Sequence, residues 1–258
     1  MRLATWNVNS VRARLPRLIE FLDQHRPDAV CLQETKVDAG AFPHEELAAA
    51  GYHAADHSGG RWAGVAVLAR AEVTIDDVAA GLPGSPLPDE ARWVEATVHG
   101  VRVVSVYVIN GRALDDPMYE AKIAFLDQVA ARARDLAGQP LVISGDFNIA
   151  PADVDVWDPA AFEGATHVSA PERERLRAIL ATGLVDAFRV VEPELVQHTW
   201  WDYRGGNFHR GLGLRIDLAL VSPDLASSLR AAGIDRDFRK GAKPSDHAPV
   251  LFEFEFED

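Results

Sequence analysis

Asp146 and Asn148 stand two residues apart at the end of an apolar run, in the segment VISGDFNIAP (142–151). A strand that begins Leu141, Val142, Ile143 and ends on a carboxylate and a carboxamide aims polar groups from a rigid base, which is how a reacting atom is positioned. The pattern recurs along the chain. TWN puts Asn7 late in one apolar run, and CLQETK puts Glu34 at the end of another, followed by Lys36. SVYVING delivers Tyr107 and Asn110, RID delivers Asp217, and PSDHAPV sets Asp246 and His247 just before the last run. Ligands of α/β sheets bind at strand ends, where loops converge. Asp217 is the most telling single residue: a carboxylate inside RIDLALV is expensive to bury unless something satisfies it, and His247 is the candidate partner.

Taken singly, each residue has an ordinary explanation. Asn7 suits a strand-end hydrogen bond, Glu34 an ion pair, Tyr107 a core, and both GDFN and SDH suit turns. Their joint occurrence points to a site. Other chemistries are absent: there is no G-x-S-x-G elbow, no H-E-x-x-H and no G-x-x-x-x-G-K-[ST] phosphate loop. Asp153-Val154-Asp155 starts like a calcium loop but lacks the further oxygen ligand and the glycine.

Elements able to hold such residues alternate along the chain. RLATWNV (2–8) reads as a strand, and RLPRLIEFLDQH (14–25) places Leu15, Leu18, Ile19 and Leu22 on one helical face. DAVCLQE (28–34) is a second buried strand, so the strand–helix–strand order implies a parallel crossover. GVAVLAR, RWVEATV and VRVVSVYV (64–70, 92–98, 101–108) follow without a helix, which suggests antiparallel pairing, with a hairpin at His99-Gly100. Pro117 opens a helix to about Leu136, with Tyr119, Ile123, Leu126 and Ala130 on one face and Phe125 and Val129 widening it. A helix near 171–182, the strand RIDLALV (215–221) and PVLFEFEF (249–256) complete the chain. In that last strand Val250, Phe252, Phe254 and Phe256 alternate with Leu251, Glu253, Glu255 and Glu257. No linker or repeat divides the 258 residues, so a single α/β domain with mixed sheets is expected over 1–258.

Composition sets the setting. With 48% hydrophobic residues the chain can build a substantial core. Its one cysteine, Cys31, allows no internal disulfide and no zinc cluster, which suits a reducing, cytoplasmic compartment. No signal peptide and no apolar run of membrane-spanning length is evident. A net charge of −13 argues against bulk attraction to nucleic acid. The positive charge is nevertheless local: Arg204, Arg210 and Arg215 occur in 203–215 without an acid, and Arg236, Arg239, Lys240 and Lys243 accompany only Asp237. Arg12, Arg14, Lys36 and Arg112 flank other motifs, so backbone phosphates have partners close to the strand ends.

WN, LQETK, GDFNIAP, GLRIDL and SDHAP, in that order from residue 5 to residue 250, resemble the exonuclease III family, the DNA-repair branch of the endonuclease/exonuclease/phosphatase superfamily. GLVDAFR (183–189) and TWWDYR (199–204) strengthen the likeness to the repair branch. One departure is YVING, where Ile109 stands at a place typically held by proline. The resemblance implies a four-layer α/β sandwich, two mixed sheets face to face and flanked by helices. It implies a phosphodiester hydrolase with 3′-to-5′ exonuclease and abasic-site endonuclease activity on double-stranded DNA, working as a monomer.

By the same resemblance Glu34 is the principal metal ligand, with Asn7 and Asp246 nearby, and hard oxygen donors suit Mg²⁺ or Mn²⁺. Asp146 orients and deprotonates the attacking water, and Asn148 holds the reacting groups. His247, held by Asp217, stabilises the transition state with help from Tyr107. A rival assignment makes His247 the base and gives Asp146 to the leaving group. Trp200, Leu214 and Ile216 line a pocket for an extruded sugar, and Lys36, Arg112 and Arg204 contact the substrate. Trp201 and Phe208 are open between core and minor-groove wedge. The competing functions are a phosphatase acting on a small phosphoester or lipid headgroup, and a non-catalytic DNA-binding protein.

Overall fold

The structure, a computed structural model, describes residues 1–256. Its strands are β1 (Arg2–Asn7), β2 (Ala29–Gln33), β3 (Tyr52–His57), β4 (Val65–Arg70), β5 (Asp76–Ala80) and β6 (Trp93–Val98). They continue with β7 (Val101–Tyr107), β8 (Leu141–Asp146), β9 (Val185–Asp186), β10 (Asp217–Val221), β11 (Leu229–Ile234) and β12 (Val250–Phe254). One sheet runs β11-β12-β1-β2-β4-β3 and the other β5-β6-β7-β8-β10-β9. Within them β1–β2 and β7–β8 are parallel, while the remaining neighbours are antiparallel.

The period-two side-chain alternation of a strand decides what fills each layer. Leu3, Cys31, Val67, Val103, Val142, Val221 and Phe252 share one core between the sheets. The opposite faces carry Trp6, Val30 and Leu32 against the Val11–His25 helix, with Leu18 and Phe21. On the far side Val104, Ile143 and Leu220 meet Phe125 and Val129 of the Pro117–Asp135 helix. Helix, sheet, sheet, helix is thus the four-layer sandwich expected. No helix among the described residues is long and apolar enough to cross a membrane.

Three expectations change. The run 64–70 does not join the hairpin that follows it; β4 pairs with β2 and β3, whereas β6 and β7 pair in the other sheet. Phe256 is 45% exposed beyond the end of β12, so the alternation stops at Phe254. Glu257 lies outside the described residues. On the Pro117–Asp135 helix the buried stripe runs through Lys122, Phe125, Leu126, Val129 and Ala133, and Tyr119 and Ile123 are only partly covered.

Towards one end of the inter-sheet core the inward-facing positions turn from apolar to polar, strand by strand. On β1 they read Leu3, Thr5, Asn7; on β2, Ala29, Cys31, Gln33; on β7, Val103, Ser105, Tyr107; on β8, Val142, Ser144, Asp146. Registers align these into rows: Tyr107, Asp146 and Asp217 lie side by side, above Ser105, Ser144 and Ala219, above Val103, Val142 and Val221. Gln33 ties the two sheets in the middle row, donating to Ser105 Oγ (3.1 Å) and Thr5 Oγ1 (3.2 Å).

Gly145 lets β7 and β8 come this close. A Cβ there would lie 1.9 Å from the Val106 carbonyl oxygen, a backbone atom with nowhere to move. Gly145→Ala is therefore expected to cost about 3 kcal/mol, read as a fall of about 10 °C in Tm; an unchanged Tm would contradict this packing.

Candidate active site

The polar end of the sandwich opens into a cavity of about 150 Å³ lined by Glu34, Tyr107, Asn110, Asp146, Asn148, His167, Trp200, Ile216, Asp246 and His247. Glu34 follows β2 with φ of 51°, and Asn148 follows β8 with φ of 52°. Both are left-handed backbones that cost a non-glycine residue about 1–2 kcal/mol. Such strain is held only where surrounding bonds over-determine it. Around Glu34 those bonds are Ser10 N–H to its carbonyl, Thr35 N–H to Gly64 and Lys36 N–H to Ala63. Around Asn148 they are its own N–H to Asp146 Oδ1 (2.9 Å), its Nδ2 to Val108 O (2.9 Å), and Lys122 Nζ on its carbonyl (2.7 Å).

Asn7 joins the two principal carboxylates. Its Nδ2 donates to Glu34 Oε1 (2.8 Å) and Asp146 Oδ2 (2.9 Å), while its oxygen accepts from Asn9 N–H (3.0 Å). Asn7 thus bridges the two carboxylates. Lys36 Nζ sits 2.6 Å from both Glu34 Oε2 and Asn9 Oδ1. Asp246 accepts from Asn9 Nδ2 (2.9 Å) and Trp200 Nε1 (3.1 Å).

His247 and Asp217 meet as expected: Nδ1 lies 2.8 Å from Asp217 Oδ2, and Nε2 is left facing Asp146 Oδ2 at 3.8 Å. Burial alone would lower the imidazole's pKa, but Asp217 and Asp146 overcome it and raise it to about 10. Asp146 is pushed up to about 7 by burial; His247 pulls it back, repulsion from Asp217 and Glu34 opposes that pull, and the Asn7 hydrogen bond lowers it a little. Tyr107 is raised well above its usual range by burial and by Glu34 and Asp146, so its hydroxyl keeps its proton. The site thus holds its proton on His247 and is rich in negative charge.

That charge bears on a metal. Oxygens of Glu34 and Asp146 and Nε2 of His247 lie within 4.8 Å of one another. A buried carboxylate beside a half-buried one, whose repulsion helps raise its pKa, is a donor set that fits a hard divalent cation. No sulfur donor is near.

The structure brings together Asn7, Glu34, Lys36, Tyr107, Asp146, Asn148, Asp217, Asp246 and His247, and it sets Trp200 and Ile216 in the cavity wall. It separates others. Leu214 is fully buried behind Ile216, packed with Ala150 and Val156, and does not line the cavity. Arg204 is exposed, pairs with Asp202 at 2.7 Å and is not in the cavity wall. Arg112 stands in an adjoining groove. Arg215 is 1% exposed, clamped by Asp155 (2.6 Å) and Asp186 (2.7 Å), so it is structural rather than a phosphate contact. Trp201 is core, 1% exposed and edge-on to Phe208.

Four participants carry little or no sequence signature. Asn9 links Lys36 to Asp246, and the N-V-N spacing was its only trace. His167 lines the cavity, with Nδ1 2.6 Å from the Asn148 carbonyl. Burial, then Lys122, lowers its pKa to about 4, so it is neutral. Lys122 and Glu172, both wholly buried, pair at 2.5 Å directly behind Asn148.

Known proteins share this fold. Residues 4–247 match the model of the endonuclease/exonuclease/phosphatase family. Exodeoxyribonuclease III of Haemophilus influenzae is 32% identical over 98% of this chain and all of its own length. Among solved structures, the 3′-5′ exonuclease NExo of Neisseria meningitidis superposes with a TM-score of 0.96 at 42% identity, covering 99% of this chain and 100% of that one. An AP endonuclease from Archaeoglobus fulgidus gives 0.95 at 33% identity with the same coverage. A family model matched over residues 4–247 and relatives aligned along their whole length settle the point: the protein belongs to the endonuclease/exonuclease/phosphatase family, whose members are hydrolases.

Proposed function

We propose that the protein is a Mg²⁺-dependent DNA-repair nuclease that hydrolyses phosphodiester bonds at 3′ ends and at abasic sites in double-stranded DNA. The observation that carries this reading is the convergence of Glu34, Asp146, Asn148, Tyr107 and the Asp217–His247 pair in one cavity. Its supports outside the molecule are relatives named exodeoxyribonuclease III and AP endonuclease, and a similar structure titled as a 3′ phosphatase bound to a product DNA hairpin. The whole chain is read as one catalytic domain, acting as a monomer in the cytoplasm, with Mn²⁺ as a substitute ion.

A bound divalent cation supplies neutralisation of charge on the attacked phosphate. Glu34 would hold it, with Asn7 and Asp246 nearby, directly or through water. Asp146 has the geometry of the base: Asn7 Nδ2 holds its Oδ2 and the Asn148 N–H holds its Oδ1, so the carboxylate is fixed in one orientation. His247 already carries its proton, so Nε2 donates to a non-bridging oxygen and steadies the charge that builds there. Asp217 keeps that imidazole oriented and charged. Tyr107, whose hydroxyl stays protonated, is a second donor. In this reading Asp146 is the base and His247 the proton donor; the rival reading gives the base to His247.

The reading is tested with three end-labelled duplexes, one intact, one nicked with a 3′-phosphate and one abasic, each with Mg²⁺ or EDTA. Cleavage is expected with Mg²⁺, and EDTA is expected to abolish it. Rates undiminished by EDTA would remove the metal from the reaction. Failure to process any duplex, with turnover of a small phosphoester, would favour a phosphatase of this family.

A further inference from the structure

Arg239 ends the short helical turn Arg236–Arg239 and is only 6% exposed, whereas Arg236, Lys240 and Lys243 of the same segment are exposed. A charge taken out of water is costly unless it is paired and hydrogen-bonded. Arg239 forms no ion pair with a carboxylate among the described residues. Its Nε donates instead to the Asp246 carbonyl (3.2 Å) and its Nη2 to the Trp201 carbonyl (3.2 Å). The guanidinium also lies over the rings of Tyr203 (5.0 Å) and Phe208 (5.2 Å), an arrangement that attracts a cation. Its cost is therefore met by two main-chain oxygens and two aromatic faces, and it lies outside the active-site cavity.

The two carbonyls belong to segments that supply the cavity wall. Residues 199–201 and 246–248 form a short antiparallel ribbon in which Trp200 bridges His247. Two backbone hydrogen bonds join them, Trp201 N–H to Asp246 O (3.1 Å) and Ala248 N–H to Thr199 O (2.7 Å). So short a two-stranded ribbon is marginal by itself. Its side chains nevertheless do the aiming, since Trp200 Nε1 holds Asp246 Oδ2 and His247 follows directly. Arg239 adds one bond to each side of the ribbon from a single planar group, a span that the one nitrogen of a lysine does not reproduce. The arm is itself anchored: the preceding Phe238 is buried and packs edge-on against Trp6 (5.6 Å) and Phe21 (5.3 Å).

We infer that Arg239 is a positioning residue for the reaction, clamping the Trp200–Trp201 segment to Asp246 and His247 from behind the cavity without touching the substrate. The inference rests on the nuclease reading above. It takes Arg239 out of the basic residues available to DNA phosphates and gives its charge a different task, holding two carbonyls in register.

The test compares full-length Arg239→Lys and Arg239→Met with the wild type on an abasic duplex. Lysine keeps the charge without the fork, and methionine removes the charge while filling most of the space. Both variants are expected to fold and to lower kcat about ten- to a hundredfold, the scale of a misplacement by about 1 Å, with KM nearly unchanged. In ¹⁵N-labelled protein without metal, the Trp200 indole N–H, assigned with Trp200→Phe, reports the contact with Asp246 and should shift in both variants. A phosphate contact would behave otherwise. Arg239→Met would then weaken DNA binding in EDTA and lower the slope of log Kd against log salt concentration by about 0.9, leaving the indole resonance in place. That result would overturn the clamp. An unchanged kcat, or loss of folding in both variants, would make Arg239 structural alone and overturn it as well. A wild type that cuts no duplex would sink the nuclease reading by itself, and the clamp would stand or fall on the indole resonance.

Discussion

Asp146→Asn is expected to give a folded protein that cleaves an abasic duplex at least about a thousandfold more slowly than the wild type, within the range general-base removal produces. The substitution is isosteric. The amide oxygen can still accept from the Asn148 N–H, the contact that shapes the GDFN turn. What disappears is the charge. Asp146 is buried beside Glu34 and Asp217, so its ionised form is costly in the folded state, and removing it should leave Tm within a few degrees. His247 loses one of the carboxylates that hold its proton and keeps Asp217 at 2.8 Å. Single-turnover rates and a melting curve on the same preparation decide the matter. A variant that melts normally and retains rates within tenfold would show that Asp146 is not the base.

The second large effect lies behind the site. Lys122 and Glu172 are both 0% exposed, and Lys122 Nζ donates to Glu172 Oε1 (2.5 Å), to Asn148 O (2.7 Å) and to Asn110 O (3.2 Å). The carboxylate also accepts from the N–H groups of His167 and Ser169. One ammonium group thus fixes the backbone of two cavity residues, and its counter-ion fixes the loop of a third. Lys122→Met strands a carboxylate in the interior and should cost about 3–5 kcal/mol. Adding Glu172→Gln removes the stranded charge and should restore most of the stability, because a buried pair exchanged for neutral groups is often nearly neutral in free energy. Activity should not return with it, since the Asn148 carbonyl still lacks its donor. Recovery of kcat together with Tm would make the pair merely structural.

The pair also carries a pH signature. Burial works against ionising Glu172, but Lys122 and Ser169 outweigh it and hold the carboxyl below its usual range. A carboxyl depressed in the folded state contributes stability above its unfolded pKa, about 4.3, and that contribution fades as pH falls through the lower folded value. Melting temperature should therefore fall more steeply below about pH 4 in the wild type than in the double variant.

Residues that end strands were legible because a polar side chain after an apolar run leaves a visible break. Glu34, Asp146, Asp217 and His247 were found that way, and the sandwich brings them together. Periodicity tells which face of a strand is buried but not which sheet the strand joins, so the run at 65–70 was paired with the hairpin after it. β5 was missed because all five of its residues are exposed and nothing alternates. Charge counting failed at Arg215, whose partners Asp155 and Asp186 are distant in sequence. Lys122 was invisible for the opposite reason: a single lysine among apolar helix positions reads as a solvated edge until the helix opposite supplies Glu172. His167 belongs to no motif, and only its loop's φ of 75° and the Asn148 carbonyl bring its ring into the cavity.

The gradient from valine to serine to aspartate along the inner faces has a kinetic consequence. Catalytic groups that crown the innermost ladder ride on hydrogen bonds that open only when the whole domain opens. Amides of Ser144, Gly145 and Leu218 should exchange with solvent on the timescale of global unfolding, whereas those of Arg61 and Trp62 should exchange orders of magnitude sooner. The polar residues of the cavity would then sit on a frame that opens only with the whole domain, beside a loop at 61–62 that opens alone.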